Sequence, residues 1–323
     1  MPIHPRRAVG PEGAASVAPV RFALEFTEDP NAFLLRSGGL LEADPVLSTV
    51  VATATARAVE EDEAGRAAPE HPRWWLTVAD GRTGEPVGLA MRTAPFAPYP
   101  LYVLPMPETA ARELAAALVE RGEEVSGLNG ALPATEVLAS ELARRTGRQA
   151  RVHEHMRLHV LQRLVEPAVA PDGRARVAVP ADADLALAWF RAFHADAAAQ
   201  AGRLEPDRGG EEFDTADVGA RIAEGRIWLW EDGLGVPVSL VGFNAPSFGV
   251  ARVGPVYTPG SHRGRGYAST LTAHVSRLLR DTGSQVCLFT DLANPTSNKI
   301  YAAIGYVPVV DMANLVITTP ARA

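Results

Sequence analysis

The stretch Thr258-Pro259-Gly260-Ser261-His262-Arg263-Gly264-Arg265-Gly266-Tyr267-Ala268-Ser269 decides how the rest of the chain is read. Before it, Phe248 to Thr258 is rich in residues that favour extended backbone and reads as a strand that Pro259 and Gly260 stop. After it, Leu271, Val275, Leu278 and Leu279 recur at the helical period, which predicts a helix over Gly266 to Asp281. Strand, glycine-rich turn and helix in this order put unpartnered backbone N–H groups and the positive end of a helix dipole at the turn. Gly264 and Gly266 let the main chain approach an anion without a Cβ in the way, and Arg263 and Arg265 can add charge-assisted bonds. The loop is suited to a diphosphate. It lacks the Gly-Lys-Ser/Thr ending of a nucleotide-triphosphate loop, and it lacks the Gly-x-Gly-x-x-Gly with a following acid of a dinucleotide site.

Working outward, the chain repeats itself. Trp74 to Gly81 followed by Gly84 to Ala90 has a counterpart in Ile227 to Gly233 followed by Gly235 to Val241, each reading as strand, acidic-glycine turn and strand. Downstream, an extended run ending in proline (Leu101 to Pro105; Gly254 to Pro259) precedes a helix (Glu108 to Arg121; Gly266 to Asp281), then a strand, a second helix and a last strand. The second copy opens with a helix over Ala183 to Gln200, and Asp214 is placed to cap another over Thr215 to Glu224. Pro167, Pro171 and Gly173 interrupt regular structure between the copies. The expected organisation is therefore a flexible segment 1–20, an α/β unit over 21–165, a linker over 166–173 and a second α/β unit over 174–323. Each unit is a central mixed β-sheet flanked by helices.

Composition limits the partners. With 323 residues the chain can hold two cores, and a net charge of -7 without any Lys/Arg-rich run argues against nucleic acid. No apolar run has membrane or secretory length, and the single cysteine, Cys287, allows no internal disulfide. A cytoplasmic protein without membrane association is expected. His153, His155 and His159 alternate along Arg151 to Leu161, which reads as a half-exposed strand and not as a metal site. No metal is expected.

About thirty residues beyond the loop stands Thr290-Asp291-Leu292-Ala293-Asn294-Pro295-Thr296-Ser297-Asn298-Lys299-Ile300-Tyr301-Ala302-Ala303-Ile304-Gly305-Tyr306. Taken with the extended run Val253 to Thr258, with Arg263-x-x-Gly266-x-Ala268 and with the strand Val286 to Thr290, this order resembles the GNAT (N-acetyltransferase) superfamily. The resemblance implies two GNAT-like domains in tandem. It implies that Val256, Tyr257 and Thr258 on a splayed strand offer backbone groups to the acyl carbonyl and pantetheine arm of acetyl-CoA. Arg263, Gly264, Arg265, Gly266, Tyr267, Ala268 and Ser269 would take the pyrophosphate. Asn294 and Asn298 would lie near the pantetheine, and Tyr301 would point its hydroxyl at the thioester sulfur. Read without the resemblance, Tyr301 is a core tyrosine beside Ile300 and Ile304, and Asn294 is a helix cap before Pro295.

Direct transfer needs a neutral amine, a polarised carbonyl and a proton for the thiolate. Tyr301 can supply that proton, and Cys287, inside an apolar run, reads as a core residue instead of a nucleophile. The base stays open between Asp291, Glu231, Asp232 and a water relay. The first copy has Met106-Pro107-Glu108-Thr109 where the loop should be, and Glu108 would oppose phosphate, so it reads as a degenerate unit that does not bind coenzyme A. The acceptor is expected to be an amine of a small molecule or peptide, held by Ala195 to Phe213, by Asn244 to Gly249 and by the first copy. Two further readings stand beside transfer: a non-catalytic acyl-CoA-binding module or protein-interaction module, and self-association as a homodimer.

Overall fold

The computed structural model describes residues 21–67, 69–200 and 214–320. The expected flexible segment 1–20 and the connecting residues 201–213 lie outside them. The first half runs β1 (Phe22–Thr27), α1 (Pro30–Ala43), α2 (Thr49–Glu63), β2 (Trp74–Asp80), β3 (Pro86–Arg92), β4 (Leu101–Val103), α3 (Glu108–Glu120), β5 (Gly127–Ala131), α4 (Ala134–Thr146) and β6 (Gln149–Leu161). The second half repeats this order as β7 (Arg174–Val177), α5 (Ala183–Gln200), α6 (Thr215–Ala223), β8 (Ile227–Glu231), β9 (Pro237–Phe243), β10 (Val250–Tyr257), α7 (Tyr267–Asp281), β11 (Gln285–Asp291), α8 (Pro295–Ala303) and β12 (Tyr306–Thr318). Residues 162–173, between the halves, form no helix or strand.

Local chemistry sets the boundaries. Asp29 caps α1 by accepting from Asn31 and Ala32 N–H groups, with Pro30 in the first turn. Asp214 caps α6 as its sequence position suggests, accepting from Asp217 N at 2.8 Å. Both hairpins, β2–β3 and β8–β9, turn on an aspartate, Asp80 or Asp232, whose carboxylate accepts from backbone N–H groups two to four residues on.

The mixed sheets expected of the two copies are joined into one of twelve strands, in the order β1-β2-β3-β4-β5-β12-β6-β11-β10-β9-β8-β7. The joint is reciprocal. β12, the last strand of the second half, lies between β5 and β6, and β6, the last strand of the first, lies between β12 and β11. Both are 13 residues long and pair antiparallel from Tyr306↔Leu161 to Thr318↔Gln149. Each half thus completes the other's sheet, and neither has a free inner edge.

Helices cover both faces. On one face α3 and α4 bury Leu114, Leu118, Leu138 and Leu142 against Trp74, Leu76 and Leu128, together with Ala313, Leu315 and Ile317 of β12. On that face of the second half, α7 packs Leu271, Val275 and Leu279 on Val286 and Leu288. The opposite face carries α1 and α2 over Trp75, Leu89 and Met91, and α5 and α6 over Ile227, Leu229 and Leu240. The neighbours Trp74 and Trp75 therefore point to opposite cores, as strand alternation requires, and both are buried. Among the described residues no helix is long and apolar enough to cross a membrane.

Because Leu315 is a residue of the second half buried in the core of the first, Leu315→Ala is expected to destabilise the protein by about 2–5 kcal/mol. Denaturant unfolding followed by tryptophan fluorescence and by circular dichroism should shift together. A first transition confined to one half would show that the joint does not couple them.

Candidate functional site

The site begins where two strands part. β10 and β11 are parallel neighbours only from Val250↔Gln285 to Arg252↔Cys287. Beyond that point β10 follows β9 through a register shift between Val253 and Val256, while β11 stays with β6. Ser239 of β9 holds the departing end: its hydroxyl donates to the Tyr257 carbonyl at 3.1 Å and bonds Thr258 Oγ1 at 2.8 Å. The opening leads into a cavity of about 340 Å³.

Twelve of the thirteen residues singled out from the sequence line this cavity: Val256, Tyr257 and Thr258, the loop Arg263 to Ser269, Asn294 and Tyr301. Asn298 does not. Its amide is committed to tying α8 to the end of β11, accepting from Thr290 Oγ1 at 2.7 Å and donating to the carbonyls of Asp291 and Asn294.

The loop has the geometry an oxyanion needs. Gly264 and Gly266 sit at φ of +76° and +84°, a region that side chains other than glycine enter only with strain. Gly266 caps α7 with no side-chain hydrogen bond to the first-turn N–H groups. The helices α1, α6 and α8 are closed instead by Asp29, Asp214 and Asn294. The amino terminus of α7 thus faces the cavity with its backbone donors uncapped by side chains, which fits a diphosphate. In the first half, α3 starts directly after Pro107 and carries Glu108 in its first turn, so an acid of the chain already meets the positive end of that helix.

Arg263 does not point into free space. Its Nε donates to the Thr258 carbonyl at 2.9 Å, and its Nη2 pairs with Asp196 of α5 at 2.6 Å. The same Asp196 oxygen accepts from the Tyr257 hydroxyl at 3.0 Å. Burial first, and then this bond to a carboxylate, push the Tyr257 hydroxyl above its ordinary value. Asp196 is the one carboxylate on the cavity wall among the described residues, and sequence reasoning covered it only within the segment Ala195 to Phe213 without singling it out. Flanked by alanines within a helix that also carries Asp184, Arg191 and His194, it belongs to no motif and had no signal of its own.

Tyr301 lies edge-on to Tyr306, with ring centroids 6.0 Å apart, and burial raises its hydroxyl above the ordinary tyrosine range. Tyr306 is anchored in turn by a 2.7 Å bond between its hydroxyl and Ser276. Asn294 caps α8 by accepting from Ser297 N at 3.2 Å and also reaches the cavity wall. Of the three candidate bases, Glu231 is held below the usual carboxylate range by Arg176 and then Arg174, and Asp232 closes a hairpin turn. Asp291 accepts from Ala293 N in the turn before α8. None of the three lines the cavity. Cys287 is fully buried, and burial pushes its thiol up to about 11.

Residues 246–312, which contain the splayed strand, the loop and Tyr301, match the family described as FR47-like protein. The whole architecture also recurs. A GCN5-related N-acetyltransferase from Sphaerobacter thermophilus superposes with a TM-score of 0.57 at 18% identity, over 93% of this chain and 97% of its own. The chain has the GNAT fold, in tandem. A tandem GNAT protein from the clavulanic acid biosynthesis pathway is similar at 14% identity, with a TM-score of 0.50 over 93% of this chain and 100% of that one. A protein from Drosophila superposes at 0.58 with 15% identity, over 93% of this chain and 98% of its own. No curated protein matches the chain in sequence. The similarity to GNAT structures spans both halves, including the first, which lacks the glycine loop.

The Asp196–Arg263 pair is exposed, so it is worth on the order of 1 kcal/mol or less, and it sets a negative charge on the wall of the cavity that the amino terminus of α7 faces. Asp196→Asn is expected to tighten acetyl-CoA binding about two- to fivefold in a calorimetric titration. Weaker binding by that variant would mean that Asp196 positions Arg263 instead of competing for it.

Proposed function

We propose that the protein is an acetyl-CoA-dependent N-acyltransferase that passes the acetyl group directly to an amine of a small molecule or peptide. In this reading residues 174–323 carry the reaction, residues 21–165 support them, and 166–173 join the two. One observation carries it: a single cavity is bounded by the departing end of β10, the uncapped amino terminus of α7 and the Tyr301 ring. Those three surfaces match, in order, a thioester-bearing arm, a diphosphate and a leaving thiolate.

The division of labour rests on elementary chemistry. Gly264 to Ser269 would hold the diphosphate through backbone N–H groups, with Arg263 and Arg265 adding charge. The parted strand end, Val256 to Thr258, leaves backbone groups that β11 does not use, and these can bind the arm and the acyl carbonyl. Acetyl-CoA supplies an activated acyl group. As the amine attacks and the C–S bond breaks, the Tyr301 hydroxyl gives its proton to sulfur and the amine's proton leaves to water. Because burial raises Tyr301, the hydroxyl stays protonated across the neutral range and is ready to donate. No protein nucleophile is needed, and the buried Cys287 is unsuited to be one.

The first test is titration of the protein with acetyl-CoA. One site per chain is expected, abolished by Gly266→Glu, which introduces a side chain at φ +84° and a negative charge at the diphosphate. Two sites would give the first half a role in cofactor binding, and no site would overturn the proposal.

Tyr301→Phe is expected to lower kcat on the order of 10²-fold while the Kd for acetyl-CoA stays nearly constant. The sign of the shift also fixes a pH profile. A donor whose pKa is raised loses activity only as pH climbs through that raised value, so Tyr301 should impose no alkaline limb on kcat between pH 6 and about 9. An alkaline limb in that window that Tyr301→Phe removes would show a hydroxyl titrating lower than its burial implies.

A further inference from the structure

The wall that α5 gives to the cavity has a chemistry of its own. Trp189, Phe193 and Asp196 follow one another at helical spacing and share one face of α5. Phe193 and Asp196 line the cavity, and the Trp189 ring packs on Tyr257 with centroids 5.9 Å apart. The Tyr257 hydroxyl reaches back to Asp196 at 3.0 Å. Two aromatic side chains and one carboxylate therefore stand together on the cavity wall. An ammonium is drawn to both kinds of group, to the carboxylate by its charge and to the rings by their quadrupoles.

Asp196 already holds a cation. Its Oδ2 accepts from Arg263 Nη2 at 2.6 Å as well as from the Tyr257 hydroxyl, and an oxygen that takes two donors serves as a counter-ion. The pair is weak, because both side chains are 40% exposed. A diphosphate at the amino terminus of α7 would offer Arg263 more charge than one carboxylate does. Arg263 then turns to the cofactor, and Asp196 faces the cavity without its cation. Asp196 and Tyr301 also approach the cavity from opposite faces of the sheet: α5 packs with Leu229 and Leu240, and Tyr301 with Leu271 and Val275. A carboxylate bound to the reacting nitrogen would hold it as an ammonium and engage the lone pair that must attack. The cation suited to Asp196 is therefore one that does not react.

We propose that Asp196, with the rings of Phe193 and Tyr257, binds a second, non-reacting ammonium of the acceptor in the place that Arg263 gives up, so that the acceptors of this protein are small diamines. This site rests on the acyltransferase reading, in which the cofactor draws Arg263 away. Binding of cofactor and binding of diamine are then coupled through one side chain.

The test compares α,ω-diamines of increasing length with amino alcohols of the same length, in which a hydroxyl replaces the second ammonium. With acetyl-CoA, KM for the best diamine is expected to be at least about tenfold below that of its amino alcohol at similar kcat. The preference should disappear in Asp196→Asn and survive in part in Asp196→Glu. Calorimetric titration of the same pairs in the presence of coenzyme A, which cannot transfer an acyl group, should show the same preference in Kd. Without coenzyme A the preference should shrink, and Arg263→Gln should restore it. An Asp196-dependent preference in Kd without turnover would keep the cation site and sink the transferase. Turnover with equal KM for diamine and amino alcohol would keep the transferase and overturn the proposal, as would equal Kd for the two with coenzyme A bound. An Asp196→Asn variant that lowers kcat for both members alike would also overturn it, since the carboxylate would then serve the reacting nitrogen.

Discussion

Two adjacent parallel strands that stop pairing after three residues are the constraint on which the rest of the second half depends. Once β10 leaves β11 beyond Arg252 and Cys287, backbone groups that would have been spent in the ladder are left facing a gap. On the proposed function, an extended amide-bearing arm can hydrogen-bond along the length of this gap. The departure is held from outside by the β10 register shift and by Ser239, so it is a fixed feature of the sheet. The placement of the neighbouring parts is then determined: the chain must turn at Pro259–Gly260, and the next helix necessarily begins at the mouth of the gap with its positive end inward.

The same geometry explains why the two copies differ in chemistry while sharing a layout. β4 and β5 are also parallel and also paired over only three positions. After β4, however, Leu104 to Pro107 lead straight into α3, with no residue at positive φ before the helix and an acid in its first turn. The first half keeps the scaffold and lacks the cradle. Its α1–α2 layer has instead become part of the second half's surroundings, through Phe248 and through the contact of Thr53 with Arg252.

Much of this was legible in the sequence, and unevenly. The helix α5, the two aspartate hairpins, the start of α7 and the strand β11 were readable because each combines a clean period with a recognisable stop. So were most of the cavity-lining residues, since all but Phe193 and Asp196 come from two contiguous stretches separated by one helix and one strand. α1 and α2 escaped notice: α1 carries Gly38 and Gly39 in its interior, and α2 is a run of valine, threonine and alanine that reads as readily extended as helical. Asp196 was not singled out, for another reason. It matters through a residue far away in the chain, Arg263, and no spacing encodes such a meeting. Asn298 shows the converse, a motif residue whose amide is used entirely within the fold.

The exchange of β6 and β12 has a consequence for how such a chain can evolve. After duplication, a redundant copy is ordinarily free to decay and be deleted. Here β6 is the neighbour of β11, the strand that walls one side of the gap, so losing the first copy would strip the second of part of its own sheet. The exchange acts as a ratchet: the first copy can vary in the loop before α3, but not in its shape, because β6 and β12 complete one another's sheets.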